Sequence, residues 1–330
     1  MDIFAWIDKN LNPLPSTTEV LIYNDMESQS GCSLPIIYTE FDAGSSIHWG
    51  ERGAIYDFLF AVRGEDKQLL DFGPGDGWPS LLLAPMAAKV TGLDSSKKRV
   101  EVCRENARRL GLSNTAFVSY VAGDALPFTD NTFDGITAAS SVEQSPDPRA
   151  VLKEFYRVLR PGGRLRLSYE GLARYRGGRE QQLELLKGDA GQTKMLLYNR
   201  NISREYVDNY ALKLSLAPAE LVKLVPEEDI RLLNSTLLGQ LQPYITFAGK
   251  CRTTHPSCGT WLNWLVEAGF SQAVATHSGK EAAKALYRHH AGTGGPEDLA
   301  GVDFLVAPVA RAAVELAAPP QTDPPITAVK

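Results

Sequence analysis

The chain has 330 residues, 44% hydrophobic and 22% charged, with a formal net charge of −5. That is the composition of a folded globular protein, long enough for more than one domain. It holds no apolar run of the roughly 20 residues that would cross a bilayer, and its negative balance disfavours a nucleic-acid partner, which wants a basic face. Asp2 and Asp8 stand where a secretory leader would carry basic residues, and the cysteines Cys32, Cys103, Cys251 and Cys258 fit a reducing compartment better than a disulfide scaffold. The expectation is a cytoplasmic protein with no membrane partner.

Residues 1–49 carry Trp6, Tyr23, Tyr38, Phe41, His48 and Trp49. Such a segment either lids an active-site mouth or covers a sheet edge. From Gly50 to Val62, Ile55, Phe58, Leu59 and Val62 recur at helical spacing, and Arg63 to Asp66 is a polar turn. Gln68 to Phe72 reads as a short buried strand, followed by Gly73-Pro74-Gly75-Asp76-Gly77. Glycine at every second position permits positive φ and lets backbone approach a ligand. Trp78-Pro79 opens the next apolar run, proline being tolerated in a first helical turn. Strand, glycine turn and helix start make a cradle for a nucleotide-like ligand. The dinucleotide fingerprint would need glycine where Trp78 stands, and the Walker loop's Gly-Lys-Ser/Thr is absent, so a nicotinamide oxidoreductase is disfavoured.

Lys89 to Asp94 reads as a second strand ending in an acid. Ser96 to Leu110 is an amphipathic helix with Val100, Cys103, Ala107 and Leu110 on one face, ended by Gly111. Cys103 there is a small core residue, and the charges at Lys97, Lys98, Arg99, Arg104, Arg108 and Arg109 read as a solvated face. Ala116 to Val121 is a third strand, leading to Gly123-Asp124-Ala125. Phe133 to Ala139 is a fourth, leading to Ser140-Ser141-Val142-Glu143-Gln144. Asp147-Pro148 starts a helix that runs to Leu159, Arg160-Pro161-Gly162-Gly163 ends it, and Leu165 to Tyr169 is a fifth strand.

This ordered set resembles the class I S-adenosylmethionine-dependent methyltransferases, and within them the UbiE-like, type 11 group, over roughly residues 65–170. Asp71-Phe72-Gly73-Pro74-Gly75-Asp76-Gly77 resembles their motif I; Asp94, Gly123-Asp124-Ala125 and Arg160 to Gly163 follow in the family's order. The resemblance implies an α/β fold with a Rossmann-like seven-stranded sheet (the class I methyltransferase fold), an N-terminal lid and a cap inserted after strand five. It implies S-adenosyl-L-methionine as cofactor, with Asp71 supporting the turn and the ligand's amino-acid end. Gly73, Pro74, Gly75 and Gly77 then approach the ligand by backbone, and Asp94 takes the ribose hydroxyls. Ser95 flanks the base, Gly123, Asp124 and Ala125 meet the adenine, and Ser140 follows strand four, where the methyl group points.

Methyl transfer from a sulfonium is an in-line displacement, so rate comes largely from holding nucleophile and methyl about 3 Å apart and aligned. Related sequences often carry histidine near Gln144; this one does not, which removes a histidine base there. The catalytic candidates are Glu143, Glu170 and His48. Glu143 either orients the cofactor's amine, accepts a proton from the substrate, or is a loop acid facing solvent.

After Tyr169 roughly 80 residues intervene before a helix at Thr260 to Ala268, closed by Gly269. The insertion holds Tyr175, Tyr198, Tyr206, Tyr210 and Tyr244, a strand-like Met195 to Asn199 and an acidic helix near Glu227 to Gln242. Placed after strand five it belongs at the carboxyl edge, where α/β sheets bind ligands. Val274 to Thr276 and Val302 to Ala307 are the candidates for strands six and seven. Cys251, His255 and Cys258 have a spacing reminiscent of metal ligands, yet zinc needs a fourth that is not signposted, and a trivalent arsenic acceptor would need distant Cys32. They read instead as residues leading into a helix capped by Ser257, and no metal is expected.

The expected organisation is a lid at 1–49, a cofactor-binding core at 50–170, a substrate cap at 171–259, the rest of the core at 260–310, and a disordered Pro-rich tail at 311–330. The cap also offers a homodimer contact. The expected function is methyl transfer to a small-molecule acceptor. The alternatives are a protein or RNA methyltransferase, and a catalytically inactive S-adenosylmethionine-binding sensor or partner protein.

Overall fold

The computed structural model describes residues 2–24, 41–187, 192–290 and 294–330; Cys32 and Tyr38 lie outside them. In chain order the helices are α1 (Ile3–Leu11), α2 (Ser46–Ala61), α3 (Ser80–Leu83), α4 (Lys97–Arg109), α5 (Pro148–Val158), α6 (Pro218–Leu224), α7 (Ser235–Leu241), α8 (Cys258–Ala268), α9 (Gly279–His290) and α10 (Leu299–Ala313). The strands are β1 (Leu14–Pro15), β2 (Gln68–Phe72), β3 (Lys89–Asp94), β4 (Thr115–Ser119), β5 (Phe133–Ala139), β6 (Leu159–Ser168), β7 (Gln181–Lys187), β8 (Thr193–Asn201), β9 (Tyr206–Leu214), β10 (Ile245–Thr254), β11 (Gln272–Ala275) and β12 (Ile326–Val329). The described residues divide into two compact units, one from 2–24, 143–146 and 170–256, the other from 41–142, 147–169 and 257–330.

The larger unit is built on a seven-stranded sheet of order β11-β12-β6-β5-β2-β3-β4. From β6 to β4 the pairings are parallel, while β12 runs antiparallel to both neighbours. Side chains alternate between faces along a strand, so β2 sends Leu70 and Phe72 to one core and Leu69 to another. The first core packs Phe133, Ile136 and Leu165 against Val151, Leu152 and Phe155 of α5 and Trp261 and Leu265 of α8. The second packs Leu69 and Val90 against Ile55, Phe58 and Leu59 of α2. Arg166 of β6, fully buried, crosses to Asp57 of α2 through two 2.7 Å hydrogen bonds. Breaking one side of such a pair leaves an uncompensated buried charge, a loss of about 3–5 kcal/mol.

Two expectations fail here, for related reasons. Val302 to Ala307 is not a strand: it lies within α10, where Val302, Val306, Ala310 and Ala313 are buried at helical spacing. A short apolar run does not distinguish strand from helix; the i, i+4 recurrence does. The seventh strand is instead Ile326–Val329, inside the segment expected to be a disordered tail. Ile326 and Ala328 are fully buried, and the strand pairs with β6 and β11.

The smaller unit is a five-stranded sheet of order β1-β10-β9-β8-β7. One face, with Met195, Leu197, Tyr210, Leu212 and Leu214, packs against α1 through Phe4, Trp6 and Ile7 and against Leu221 of α6 and Leu238 of α7. The opposite face carries Leu196, Tyr198, Val207 and Ala211, covered by Leu21, Ile22, Leu172 and Tyr175. Residues 2–24 thus share a unit with the insertion rather than forming a separate lid, and Trp6 is one of its core residues. The strand-like Met195 to Asn199 is the middle of β8, whereas the expected acidic helix at 227–242 is short 3-10 turns followed by α7.

Candidate functional site

The turn after β2 is shaped by three glycines at positive φ: +72° at Gly73, +60° at Gly75 and +112° at Gly77. A Cβ at Gly73 would fall 2.4 Å from Ser141 Cβ, and one at Gly77 2.3 Å from Leu81 Cδ1. Glycine is therefore required twice over, by conformation and by space. The backbone N–H of Gly77 is spent inside the turn on Pro74 O, and that of Gly73 on Leu93 O of β3, at 2.8 Å each. Pro74 and Gly77 are buried, while Gly73 and Gly75 stay partly exposed.

Asp71 is fully buried. Its carboxylate accepts from Ser80 N at 3.1 Å, from Ser80 Oγ, and from Thr137 Oγ1 at 3.1 Å. Burial pushes its pKa up to about 7, against the pull of those hydrogen bonds. Asp71 therefore braces the turn from within.

The parallel registers Phe72↔Leu93, Leu93↔Val118 and Phe72↔Ala138 bring the carboxyl ends of β2, β3, β4 and β5 level. Asp94, half-buried at the tip of β3, accepts from Ser96 N at 2.8 Å and Gly75 N at 3.4 Å, which fixes it beside the glycine turn. Ser95 beside it is partly exposed. Beyond β4, Gly123, Asp124 and Ala125 are exposed; Gly123 has φ +97° with open space where a Cβ would stand. Ser140, exposed and at φ +50°, donates its backbone N–H to Ser168 O at 2.8 Å. All the expected cofactor residues thus belong to the larger unit, at the ends of adjacent strands.

The sequence reading missed their supports. Ser141 Oγ donates to Phe72 O at 2.5 Å, and Asn106 Nδ2 to Asp76 O at 2.8 Å. Arg99, read as part of a solvated face, has its guanidinium against the turn: a Cβ at Gly75 would lie 2.9 Å from its Nη1. Asn106 was detectable, since it shares the helical face of Val102 and Cys103. The Cys103 thiol donates to Gly75 O at 3.1 Å, and burial raises its pKa, so it remains a thiol.

Of the catalytic candidates, the structure brings Glu143 and Glu170 together in the smaller unit. Glu143 is 1% exposed; its Oε1 accepts from Glu170 N at 3.2 Å and its Oε2 has no partner. Burial, reinforced by the charge of Glu170, pushes its pKa up to about 7. It is not the solvent-facing loop acid that was one of its readings. Glu170 itself is exposed. His48 belongs to the larger unit, where its Nδ1 accepts from Asp42 N at 2.8 Å and its ring lies 5.6 Å from Phe41. Phe41, Asp42, Trp49, Tyr287 and His290 line a cleft of about 660 Å³ in that unit.

Ser257 caps α8, its Oγ accepting from Thr260 N at 3.4 Å. Cys258 is the first residue of that helix, but Cys251 lies within β10 and does not lead into it. Burial pushes the Cys251 thiol up to about 12. His255 stacks on Tyr175 with ring centroids 3.9 Å apart. Among the described residues no three His, Cys, Asp or Glu side chains gather as a metal site, and no helix is long and apolar enough to cross a membrane.

A mostly parallel seven-stranded sheet with its last strand inserted antiparallel, and a glycine turn after the first strand, is the class I methyltransferase fold. The family described as a methyltransferase domain matches residues 70–167, and this part of the chain is a class I S-adenosylmethionine-dependent methyltransferase domain of the type 11 group. Methyltransferase GfsG of Streptomyces halstedii is 41% identical over 104 residues, 31% of this chain and 37% of that one. The 27-O-demethylrifamycin SV methyltransferase of Amycolatopsis mediterranei is 36% identical over 110 residues, 33% of this chain and 40% of that one. The crystal structure of YcgJ from Bacillus subtilis matches with 30% identity and a TM-score of 0.34, covering 37% of this chain and 50% of that one. The match thus spans 40% or less of those curated relatives' lengths. S-adenosyl-L-methionine is the cofactor of this domain family, and the donor set fits it: an acid at the β3 tip, an exposed acid beyond β4, and a turn closed to any Cβ at Gly73.

Proposed function

We propose that the chain is an S-adenosylmethionine-dependent methyltransferase acting on a small-molecule acceptor. The observation that carries this reading is the level alignment of the ends of β2, β3 and β4, which sets the Gly73–Gly77 turn beside Asp94 and leads into the Gly123–Ala125 loop. When bound, the sulfonium cofactor supplies a methyl group activated for in-line displacement. In this reading Gly73 and Gly75 approach it by backbone, Asp94 holds the ribose hydroxyls with Ser95 alongside, and Gly123, Asp124 and Ala125 flank the adenine. Ser140 borders the reacting end, while Asp71, Pro74 and Gly77 hold the turn in shape. Glu143, with a pKa of about 7, is matched to accept a proton near neutrality. Glu170 positions it, and His48 orders the Asp42 loop.

Support for a small acceptor comes from the printed name of one relative, which acts on 27-O-demethylrifamycin SV, and from the net charge of −5, which disfavours a polyanion. The insertion at 171–259 serves as the acceptor-binding part. The test is calorimetry with S-adenosylhomocysteine on the full chain. Micromolar or tighter binding is expected; no binding at millimolar ligand overturns the reading.

A further inference from the structure

Resting on the methyltransferase reading for its role as acceptor, we propose that the acceptor is a hydroxyl-rich small molecule, a sugar or polyol, bound by the buried polar groups of the smaller unit around Arg200 and Asn209. Arg200 of β8 is 7% exposed, with Nη2 given to the Tyr175 carbonyl and Nε and Nη1 without partners. Tyr175 stacks on His255, whose Nδ1 lies 3.1 Å from Glu170 O, and Glu170 N in turn donates to Glu143. Next along the chain, the Gln144 carbonyl accepts from Thr18 Oγ1 at 3.0 Å, beside Glu19, whose charge acts on Cys251. Asn209 of β9, 2% exposed, gives its Nδ2 to Thr253 Oγ1 at 3.1 Å, which leaves its Oδ1 without a partner. Hydrogen bonds, one ring contact, chain neighbours and the charge interaction of Glu19 with Cys251 thus link, within this unit, the buried unpartnered oxygens of Glu19, Glu143, Gln144 and Asn209 with the unpartnered nitrogens of Arg200.

Buried polar groups are ordinarily matched, and each unmatched one costs about 1–3 kcal/mol. This set is mixed, and oxygen acceptors outnumber the donor groups. A hydroxyl answers both needs, donating to a carboxylate or amide oxygen while accepting from a guanidinium. An anionic ligand would satisfy Arg200 but would face Glu19, Glu143 and Glu170 together. Tyr175, which accepts from Arg200, and Tyr198, paired across the strands with Asn209, belong to the apolar cluster beside these groups.

The test uses the full chain, with and without S-adenosylhomocysteine, and saturation-transfer NMR against phenyl and methyl hexosides, their deoxy analogues, cyclohexanol and benzoate. Expected is binding of at least one hexoside, at least tenfold weaker for its deoxy analogue, absent for cyclohexanol, and at least tenfold weaker in Arg200→Gln and in Asn209→Leu. The melting curve of each variant and its affinity for S-adenosylhomocysteine, which report the fold and the other unit, stay within twofold or a few degrees. Should a variant not fold, the deoxy series on the unaltered protein decides by itself. Binding of benzoate alone, or of no probe, overturns the proposal. If hexosides bind but S-adenosylhomocysteine does not, the sugar site stands and the methyltransferase reading falls.

Discussion

The glycine turn of the larger unit and the buried polar groups of the smaller unit handle buried charge in opposite ways. At the turn, Asp71 has no exposure and three hydrogen bonds, all from side chains and backbone of its own surroundings. In the smaller unit Arg200 and Glu143 are also buried, yet each keeps an atom with no partner. A satisfied buried network fixes a geometry; an unsatisfied one is a demand that a ligand can meet. In the proposed reading, the difference separates a part that holds the cofactor in a shape set by backbone from a part whose side chains choose an acceptor.

The largest effect that bears on this contrast concerns whether the larger unit is complete without its last residues. Truncation after Asp323 removes β12 from between β6 and β11, exposing the apolar faces that Ile326 and Ala328 cover. The expected outcome is loss of the cooperative urea transition followed by circular dichroism. A truncated chain that unfolds at the same midpoint would mean that the strand is dispensable.

Next come the glycines. Gly73→Ala brings a Cβ to within 2.4 Å of Ser141 Cβ at φ +72°, so clash and strain act together. Gly123→Ala meets open space at φ +97° and pays strain alone, about 1–2 kcal/mol. Affinity for S-adenosylhomocysteine, read by calorimetry, should fall more than about 100-fold in the first and about tenfold in the second. Equal losses would show that contact with Ser141 does not shape the turn. Asp94→Ala should fall between them: it removes the acceptor for Gly75 N and Ser96 N as well as the ribose partner. Asp94→Asn keeps one of those acceptors and should recover part of the loss; affinity unchanged in both would end the ribose assignment.

The two units also differed in how much their residues disclosed. The motif strands were legible because parallel strands buried on both faces leave short apolar runs ending in Asp71–Gly77, Asp94 and Gly123–Ala125, with chemistry at each tip. Arg99 was not, because a helix's charged positions look alike until one of them turns toward a glycine that lacks a side chain. In the smaller unit only Met195 to Asn199 suggested a strand. Arg200 and Asn209 gave no signal, since their burial depends on cross-strand pairs such as Tyr198↔Asn209 and Arg200↔Val207 that sequence spacing does not reveal. The tail misled for the converse reason: prolines at 319, 320, 324 and 325 resemble a disordered segment, but they lead into four residues that complete a sheet.

The smallest effect is a change of slope. Burial raises Glu143 from an ordinary 4.5 to about 7, so the folded state holds a proton that the unfolded chain releases. That preference stabilises the fold fully below about pH 4.5 and is lost as the pH rises toward 7. Asp71 does the same from 3.8 to about 7, and both therefore make the protein less stable as neutrality is approached. Glu143→Gln keeps an oxygen for Glu170 N and removes the titration. The melting temperature of the variant should then decline less between pH 4.5 and 7 than that of the unaltered protein, by a few degrees, with the remaining slope owed to Asp71. An identical slope would mean that Glu143 does not titrate in this window, and that its lone oxygen takes no part in moving a proton; a shallower one would single it out as a group of the smaller unit able to do so near neutral pH.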